Sequence, residues 1–407
     1  MSTARETLRL ALRNTLRHRG RTGFTLLAIA AGVAALILAG GFIKDSVVEL
    51  GESMIRSQSG HIQLSRSAWR RDGVLDAAGF IPAPARLRGE LEARPAVREA
   101  MFRVSFEGLL GNGRVDWSII ADGVEAGPEA RLGTYIEMVA GRPLAADDDY
   151  AVVLGAGVAE ALAVGVDDWV TLTTTTAGGA INLLDFRIKG IFRSFSKDYD
   201  ARAVRLPLAS AQSLIDSSGA HVAVLHLTDT AMTAAVVDDL RATYGDGWRV
   251  ADWQELNPFY RQTVQLYRQQ FGFLVVVILL AVLLSVSNAI NMGVHERTAE
   301  FGTMRACGSR GRRVFALVMT ESALLGIGGA VLGMALGNGL ALAISAVGIP
   351  MPPPPNSDIA YTALIRFSLP VTLLAGLTGA LAPVLAALLP ARRAAHQDIA
   401  LALRQAV

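Results

Sequence analysis

Four stretches of this chain are apolar for about 20 residues or more, the length an α-helix needs to cross the hydrocarbon of a bilayer. They are residues 22–43 (opening TGFTLLAIAAGVAALILAGGF), 271–294, 314–347 and 367–391. Such runs leave few choices, because backbone in lipid satisfies its polar groups only as a helix or in a closed barrel. With 52% apolar and 18% charged residues and a mean hydropathy of +0.38, the chain reads as an integral membrane α-helical protein with four transmembrane helices. A cleavable signal peptide is the rival reading of the first run. Its length, and the absence of a small, polar cleavage region after it, argue against that.

Charge sets the orientation. Residues 1–21 carry Arg5, Arg9, Arg13, Arg17, Arg19 and Arg21 against Glu6. Residues 295–313 carry Arg297, Arg305, Arg310, Arg312 and Arg313 against Glu296 and Glu300. The tail, 392–407, has Arg392, Arg393 and Arg404 against Asp398, whereas the loop 348–366 has only Asp358 and Arg366. The positive-inside rule then puts both termini and 295–313 in the cytoplasm, and residues 44–270 outside. That outer region holds 23 basic and 30 acidic residues, the three cytoplasmic pieces 14 and 4. The formal net charge of +2 hides this polarity, which is not the one-sided basic face of a nucleic-acid binder.

The outer region alternates two periods. Strand-like runs fall at 61–65 (HIQLS), 117–124, 150–155, 169–176, 186–192 and 221–227, and helical ones at 158–164, 208–216 and 233–244. The pattern predicts a large α+β extracytoplasmic domain between helices 1 and 2, in two small subdomains. Residues 44–60 continue the first span with Val47, Leu50, Met54 and Ile55 on one side, and Pro258 opens a helix that leads into the second. These two pieces make a stalk. The single cysteine, Cys307, allows no intrachain disulfide, so the domain is held by its own core.

No catalytic, cofactor or metal site emerges. Lys44, Lys189 and Lys197 are the only lysines and none follows a glycine, so the phosphate-cradling GxxxxGK[ST] loop is absent. There is no GxSxG elbow. His18, His61, His221, His226, His295 and His396 are scattered; five residues apart on a strand, His221 and His226 face opposite sides. Asp147, Asp148 and Asp149 read as a solvated turn before a strand.

Two features in the membrane region stand out. GIGGAVLGMALGNG (326–339) sets Gly329, Gly333 and Gly337 on one helical face, where another helix can approach closely. Glu321 lies eight residues past Arg313, roughly 12 Å along the helix. It is either a functional intramembrane acid or a local partner of Arg313. Between spans two and three, VHERTAEFGTMRACGSRGRR (294–313) predicts a short amphipathic helix stopped at Gly308. Val294, Phe301, Met304 and Cys307 form its apolar side, with Glu296, Arg297, Glu300 and Arg305 around it. Such a helix lies on lipid or docks in a groove of a soluble partner.

The run SNAINMGVHERTAEFGTMRACGSRGRRVFALVMTESALLGIGGAVLG resembles the signature of the FtsX-like permease family, which includes macrolide-exporter and lipoprotein-releasing ABC permeases. AGRPLAADDDYAVVLGAGVAEALAVGVDDWVTLTT and FRIKGIFRSFSKDYDARAVRLPLASAQSLI are similar to that family's extracytoplasmic core, and LRLALRNTLRHRGRT to its N-terminal amphipathic helix. The resemblance implies a bacterial inner-membrane permease working with a separate cytoplasmic ABC ATPase dimer, which holds the ATP and Mg. It also implies a second permease copy or paralogue, and leaves a periplasmic or outer-membrane partner open. On this resemblance Glu296, Arg297, Glu300, Phe301, Met304 and Arg305 couple to the ATPase, and no enzyme active site is expected in this chain. With 21 residues before the first span, no fused N-terminal ATPase is expected either. The work done is mechanotransmission, for lipoprotein or lipid release, for hydrophobic-compound export, or for activating an external partner without transport. A membrane-anchored binding module without an ATPase is the third alternative. The proline run at 350–355 departs from the family pattern and carries no assignment.

Overall fold

The computed structural model describes residues 2–17, 19–69, 79–81, 83–352 and 359–397. Expectations for His18, Asp358, Asp398, Arg404 and residues 353–355 of the proline run therefore lie outside the described residues. The chain divides into two compact units: Met1–Val47 with Val264–Pro350 and Thr362–Val407, and Val48–Thr263 with Met351–Tyr361.

In chain order the elements are α1 (Ser2–Arg17), α2 (Arg19–Met54), β1 (Ile62–Arg66), α3 (Pro84–Glu92), β2 (Val97–Gly111) and β3 (Asp116–Val124). Next come α4 (Ala126–Leu132), β4 (Glu137–Gly141), β5 (Ala151–Gly155), α5 (Ala156–Leu162), β6 (Trp169–Thr175) and β7 (Ile181–Arg193). They are followed by α6 (Lys197–Asp200), β8 (Ala203–Pro207), α7 (Leu208–Ile215), β9 (Val222–Leu227), α8 (Thr233–Tyr244) and β10 (Trp248–Asp252). The chain closes with α9 (Trp253–Leu256), α10 (Pro258–Glu296), α11 (Thr298–Ala306), α12 (Gly311–Val347), β11 (Ile349–Met351), β12 (Tyr361–Ala363) and α13 (Leu369–His396).

Four of these helices, those containing α2, α10, α12 and α13, are long and apolar enough to cross a membrane. Each overruns its apolar core. The chain is already helical from Arg19 into the first span, α12 starts at Gly311, and α13 carries Arg392 and Arg393 in its last turns. Gly348 ends α12 at φ +76°, its N–H donating to Ile344 O, because a left-handed residue after a helix is cheapest as glycine. The glycine face of α12 meets α2. A Cβ at Gly329 would stand 2.7 Å from Ile29, and one at Gly333 would lie 2.6 Å from Val33 and 2.8 Å from Ala30 O. At Gly337 the distance to Ala34 Cα would be 3.0 Å. On a neighbouring part of α12, a Cβ at Gly326 would stand 2.5 Å from Ala380 O of α13, so small residues set the spacing of three helices. By contrast α10 buries 6% of its most apolar stretch, against 44% for the helix of α2.

In the second unit, one sheet runs β10-β1-β9-β2-β3-β8-β5-β7-β4, and β6 pairs with both β2 and β7. The pairing therefore closes a circuit β2-β3-β8-β5-β7-β6. Its interior holds Val104, Ile119, Val152, Leu154, Phe186 and Ile188, covered by α5 and α7. A second core lies where α3 and α8 cover β1, β9 and β2, through Leu87, Leu91, Val236 and Leu240. The two subdomains expected from sequence are these two cores, joined by one strand the sequence pattern does not reveal. That strand is β2, whose first half pairs with β9 and whose second half pairs with β3 and β6. Strands β4, β8 and β10 and helices α3 and α4 are further additions, while α8 coincides with the predicted 233–244.

Candidate functional site

The link between α10 and α12 is built on a break. The α10 helix stops at Glu296, Arg297 takes φ −106°, and α11 starts at Thr298. Glu300 in its first turn and Arg305 in its last match the helix dipole. Gly308, at φ +91°, stops the chain from continuing. The buried face of α11 carries Thr298, Phe301 and Gly302. Phe301 is 2% exposed and packs with Ala11 of α1, Val314, Leu317 and Val318 of α12, and Ala391 and Ala394 of α13. Val294 and Met304 border the same cluster. Phe301, Val294 and Met304 of the apolar side thus face the chain's own helices while Cys307 stays exposed, a correction to the reading that offered Phe301 to a partner. Exposed on α11 and just after it are Glu300, Thr303, Ala306 and Cys307.

Charge fixes α11 in place. Arg297 is buried, its guanidinium 5.1 Å from the Phe301 ring. It donates to both carboxylate oxygens of Glu321, at 3.1 and 2.9 Å, and to Glu300 at 2.9 Å. Asn14 of α1 donates to Glu321 at 2.7 Å. The expected Glu321–Arg313 pair does not form. Arg313 reaches Glu6 instead, at 3.1 Å, and Glu321, about 12 Å further along the helix, is taken by Arg297. Arg21 donates to Glu296 at 2.6 Å, and Arg305 donates to the Gln397 carbonyl. Of the six loop residues singled out from sequence, Arg297 and Phe301 are internal supports, Met304 and Arg305 are half-buried, and Glu296 and Glu300 reach solvent. Asn14 and Arg21 are additions the sequence does not mark. A cavity of about 50 Å³ lies between Asn14, Arg21, Arg297 and Glu321, room for a few waters.

The second unit holds a second charged node. Arg103 of β2 pairs with Glu129 of α4 by two hydrogen bonds, one of 2.9 Å, and both side chains are 6% exposed. Arg205 of β8 stands 3.7 Å from the same carboxylate, its guanidinium 5.5 Å from the Phe192 ring. Beside it a cleft of about 250 Å³ is lined by Ile136, Met138, Leu144 and Phe192, with Glu129 and Arg205 its only charged groups. Both already have partners, so the cleft offers a ligand no free charge. Sequence reasoning missed this node. Its one signal is an arginine set between strand formers, FRV at 102–104 and VRL at 204–206.

His61 and His221 are structural. Leu227 N–H donates to His61 Nδ1, so Nε2 carries the proton towards Thr230 Oγ1, which donates to Glu52 at 2.6 Å. His221 Nδ1 accepts from Ser105 N–H, and its ring lies between Phe80 and Trp69. Burial lowers both to about 4, in His61 with a further push from His226 stacked 5.5 Å away. Asp148 is ion-paired with Arg142 at 2.6 Å and accepts from Ala145 N–H, so it caps its turn.

Two family models match the chain. The FtsX-like permease C-terminal model covers residues 272–399, and the MacB-like periplasmic core domain covers residues 22–243. The second alone spans more than half of the chain, and the protein belongs to the FtsX-like family of ABC transporter permeases with a MacB-like core. The lipoprotein-releasing system transmembrane protein LolC of Neisseria meningitidis is 25% identical over 352 residues, 79% of either chain. The macrolide export ATP-binding/permease protein MacB of Rhodospirillum rubrum is 26% identical over 98% of this chain, which spans 60% of that protein. Among solved structures, the periplasmic region of MacB from Actinobacillus actinomycetemcomitans aligns with a TM-score of 0.35 and 14% identity, covering 52% of this chain and 95% of that one.

Proposed function

We propose that this chain is the permease subunit of a bacterial inner-membrane ABC transporter whose ATP is hydrolysed on a separate cytoplasmic ATPase dimer, and that α11 is the element the ATPase moves. The observation that carries the reading is the mounting of α11. Its inner face is locked to α1, α12 and α13 through Phe301 and Arg297, while Glu300, Thr303, Ala306 and Cys307 stay exposed. A helix held this way moves its neighbours when its outer face is pushed. The arginine-rich ends of the spans support a cytoplasmic position for this face and a periplasmic one for the α+β unit. Two copies of the permease, or this chain and a paralogue, face the two ATPases. LolC matches over the same large share of both chains, which favours lipoprotein or a similar amphiphile as cargo over a macrolide.

The test uses co-purification in nanodiscs with candidate ATPases from the same cell, comparing wild type with Thr303→Arg. Phe301→Asp is unsuitable because it would break the chain's own packing. The expected result is ATPase association and turnover reduced by about tenfold or more, the effect of ~1.4 kcal/mol lost at an interface. The permease's own melting should stay within about 0.5 kcal/mol, as for a surface change. Association that ignores Thr303→Arg, or no ATPase partner for wild type, overturns the reading.

A further inference from the structure

The end of α2 is not an ordinary helix stop. After Met54 the chain makes one π-turn, Ile55–Ser59, closed by Gly60 N–H on Ile55 O at 2.9 Å, with Gly60 at φ +65°. It then enters β1, and His61 N–H turns to Leu225 O, so the carbonyls of Ser57, Gln58 and Ser59 have no backbone donor ahead of them. All three are taken by side chains. Arg205 Nη2 donates to Ser57 O at 2.7 Å, Arg103 Nη1 to Gln58 O at 2.6 Å, and Gln63 Nε2 to Ser59 O at 2.9 Å. The two guanidiniums come from β2 and β8, the strands on either side of β3.

A glycine and a few waters would suffice to end a helix. Burying two arginines for the purpose is expensive unless they are matched, because an uncompensated interior charge is strongly unfavourable. The matching is built in. Glu129 serves both guanidiniums, and Arg205 also donates to Tyr199 OH, which reaches Asp122 at 3.4 Å. The π-turn explains why the effort is directed here. A π-turn is a one-residue insertion into an α-helix. Resorbing it into α form would rotate the following carbonyls by about 100° around the axis. Ser57 O and Gln58 O would then leave the guanidiniums. The arginines hold the turn in its π form, and without them it becomes a soft joint.

We propose that Arg103 and Arg205 are positioning residues that lock the carbonyl end of α2 to the β2-β3-β8 sheet. A displacement of α2 then reaches the α+β unit in place of being absorbed in the turn. The transmission rests on the coupling reading above; the lock itself does not.

The experiment is hydrogen exchange on the full chain in nanodiscs, with and without its ATPase trapped on ATP, for wild type, Arg205→Gln and Arg205→Lys. In Arg205→Gln without nucleotide, amides 57–63 should exchange about tenfold faster while β5 and β7 keep wild-type protection, since local opening is separable from global unfolding. Arg205→Lys keeps one donor for Ser57 O and should fall in between, and it carries the test should Arg205→Gln not fold. ATP turnover should stay within about twofold of wild type in both variants, whereas the ATP-dependent change in exchange across β2 and β8 should vanish in Arg205→Gln. Unchanged exchange at 57–63 overturns the lock. An ATP response in β2 and β8 that survives Arg205→Gln overturns the transmission. No ATP response even in wild type sinks the coupling reading and the transmission with it, and the exchange at 57–63 still decides the lock.

Discussion

The two units each contain a buried arginine laid against a phenylalanine ring and paired with a carboxylate. The two nodes differ in how much water they see. In the first, Arg297 shares Glu321 with Asn14, but its other partner, Glu300, is 48% exposed. In the second, Arg103, Arg205 and Glu129 are all under 10% exposed, and both guanidiniums also donate to carbonyls at the end of α2, Arg205 to Tyr199 OH as well. An ion pair with one edge in solvent can be rearranged by a partner at modest cost. A closed one resists change, because removing either charge strands the other in a medium that cannot solvate it. The first node is suited to receiving a contact, the second to holding an angle.

Removing the shared carboxylate breaks this contrast most directly. Glu129→Ala leaves two buried guanidiniums uncompensated and should cost about 3–5 kcal/mol, read as loss of the cooperative melt of the α+β unit. Glu321→Ala leaves Arg297 paired with the half-exposed Glu300, so a smaller loss of about 1–2 kcal/mol is expected. Equal losses in the two melts would erase the distinction between the nodes.

A smaller effect sharpens it. Folded His61 and His221 titrate near 4, below the usual 6.5, chiefly through burial. Between those values the unfolded chain binds more protons, so stability is complete above pH 6.5 and falls as pH drops towards 4. The loss should be on the order of 2 kcal/mol per histidine. Melting at pH 7 and pH 4.5 measures it, and a His61→Gln, His221→Gln double variant should flatten the slope. The smallest effect is at the surface. Glu90, its side chain 46% exposed, pairs with Arg86, whose side chain is 84% exposed, so Glu90→Ala should shift the melt by less than about 0.5 kcal/mol.

Strand β2 shows where sequence reading stops. Its sequence, VREAMFRVSFEGLLG, carries four charged residues and no clean alternation, yet Ala100–Phe106 is buried on both faces. Arg103 reads as a surface residue only until Glu129, 26 positions on, and Gln58 O, 45 positions back, are brought to it. The α11 site shows the same limit. Its amphipathic pattern was legible, as was the glycine stop, but which way the apolar side turned was not. That depended on a seat assembled from α1, α12 and α13.

The sequence by itself determined the four membrane-length helices, the charge asymmetry of their ends, the α+β character between the first two, and the family signature at 294–313. These are properties of composition and short-range period, which a window of about 20 residues contains whole. Tertiary structure alone decided that Glu321 meets Arg297 and Asn14, and that Phe301 faces inward. It also decided that α2 ends in a turn clasped from two strands. Each is a pairing of groups far apart in the chain, 307 positions in the case of Asn14 and Glu321. A buried charge becomes tolerable only once its distant partner has arrived.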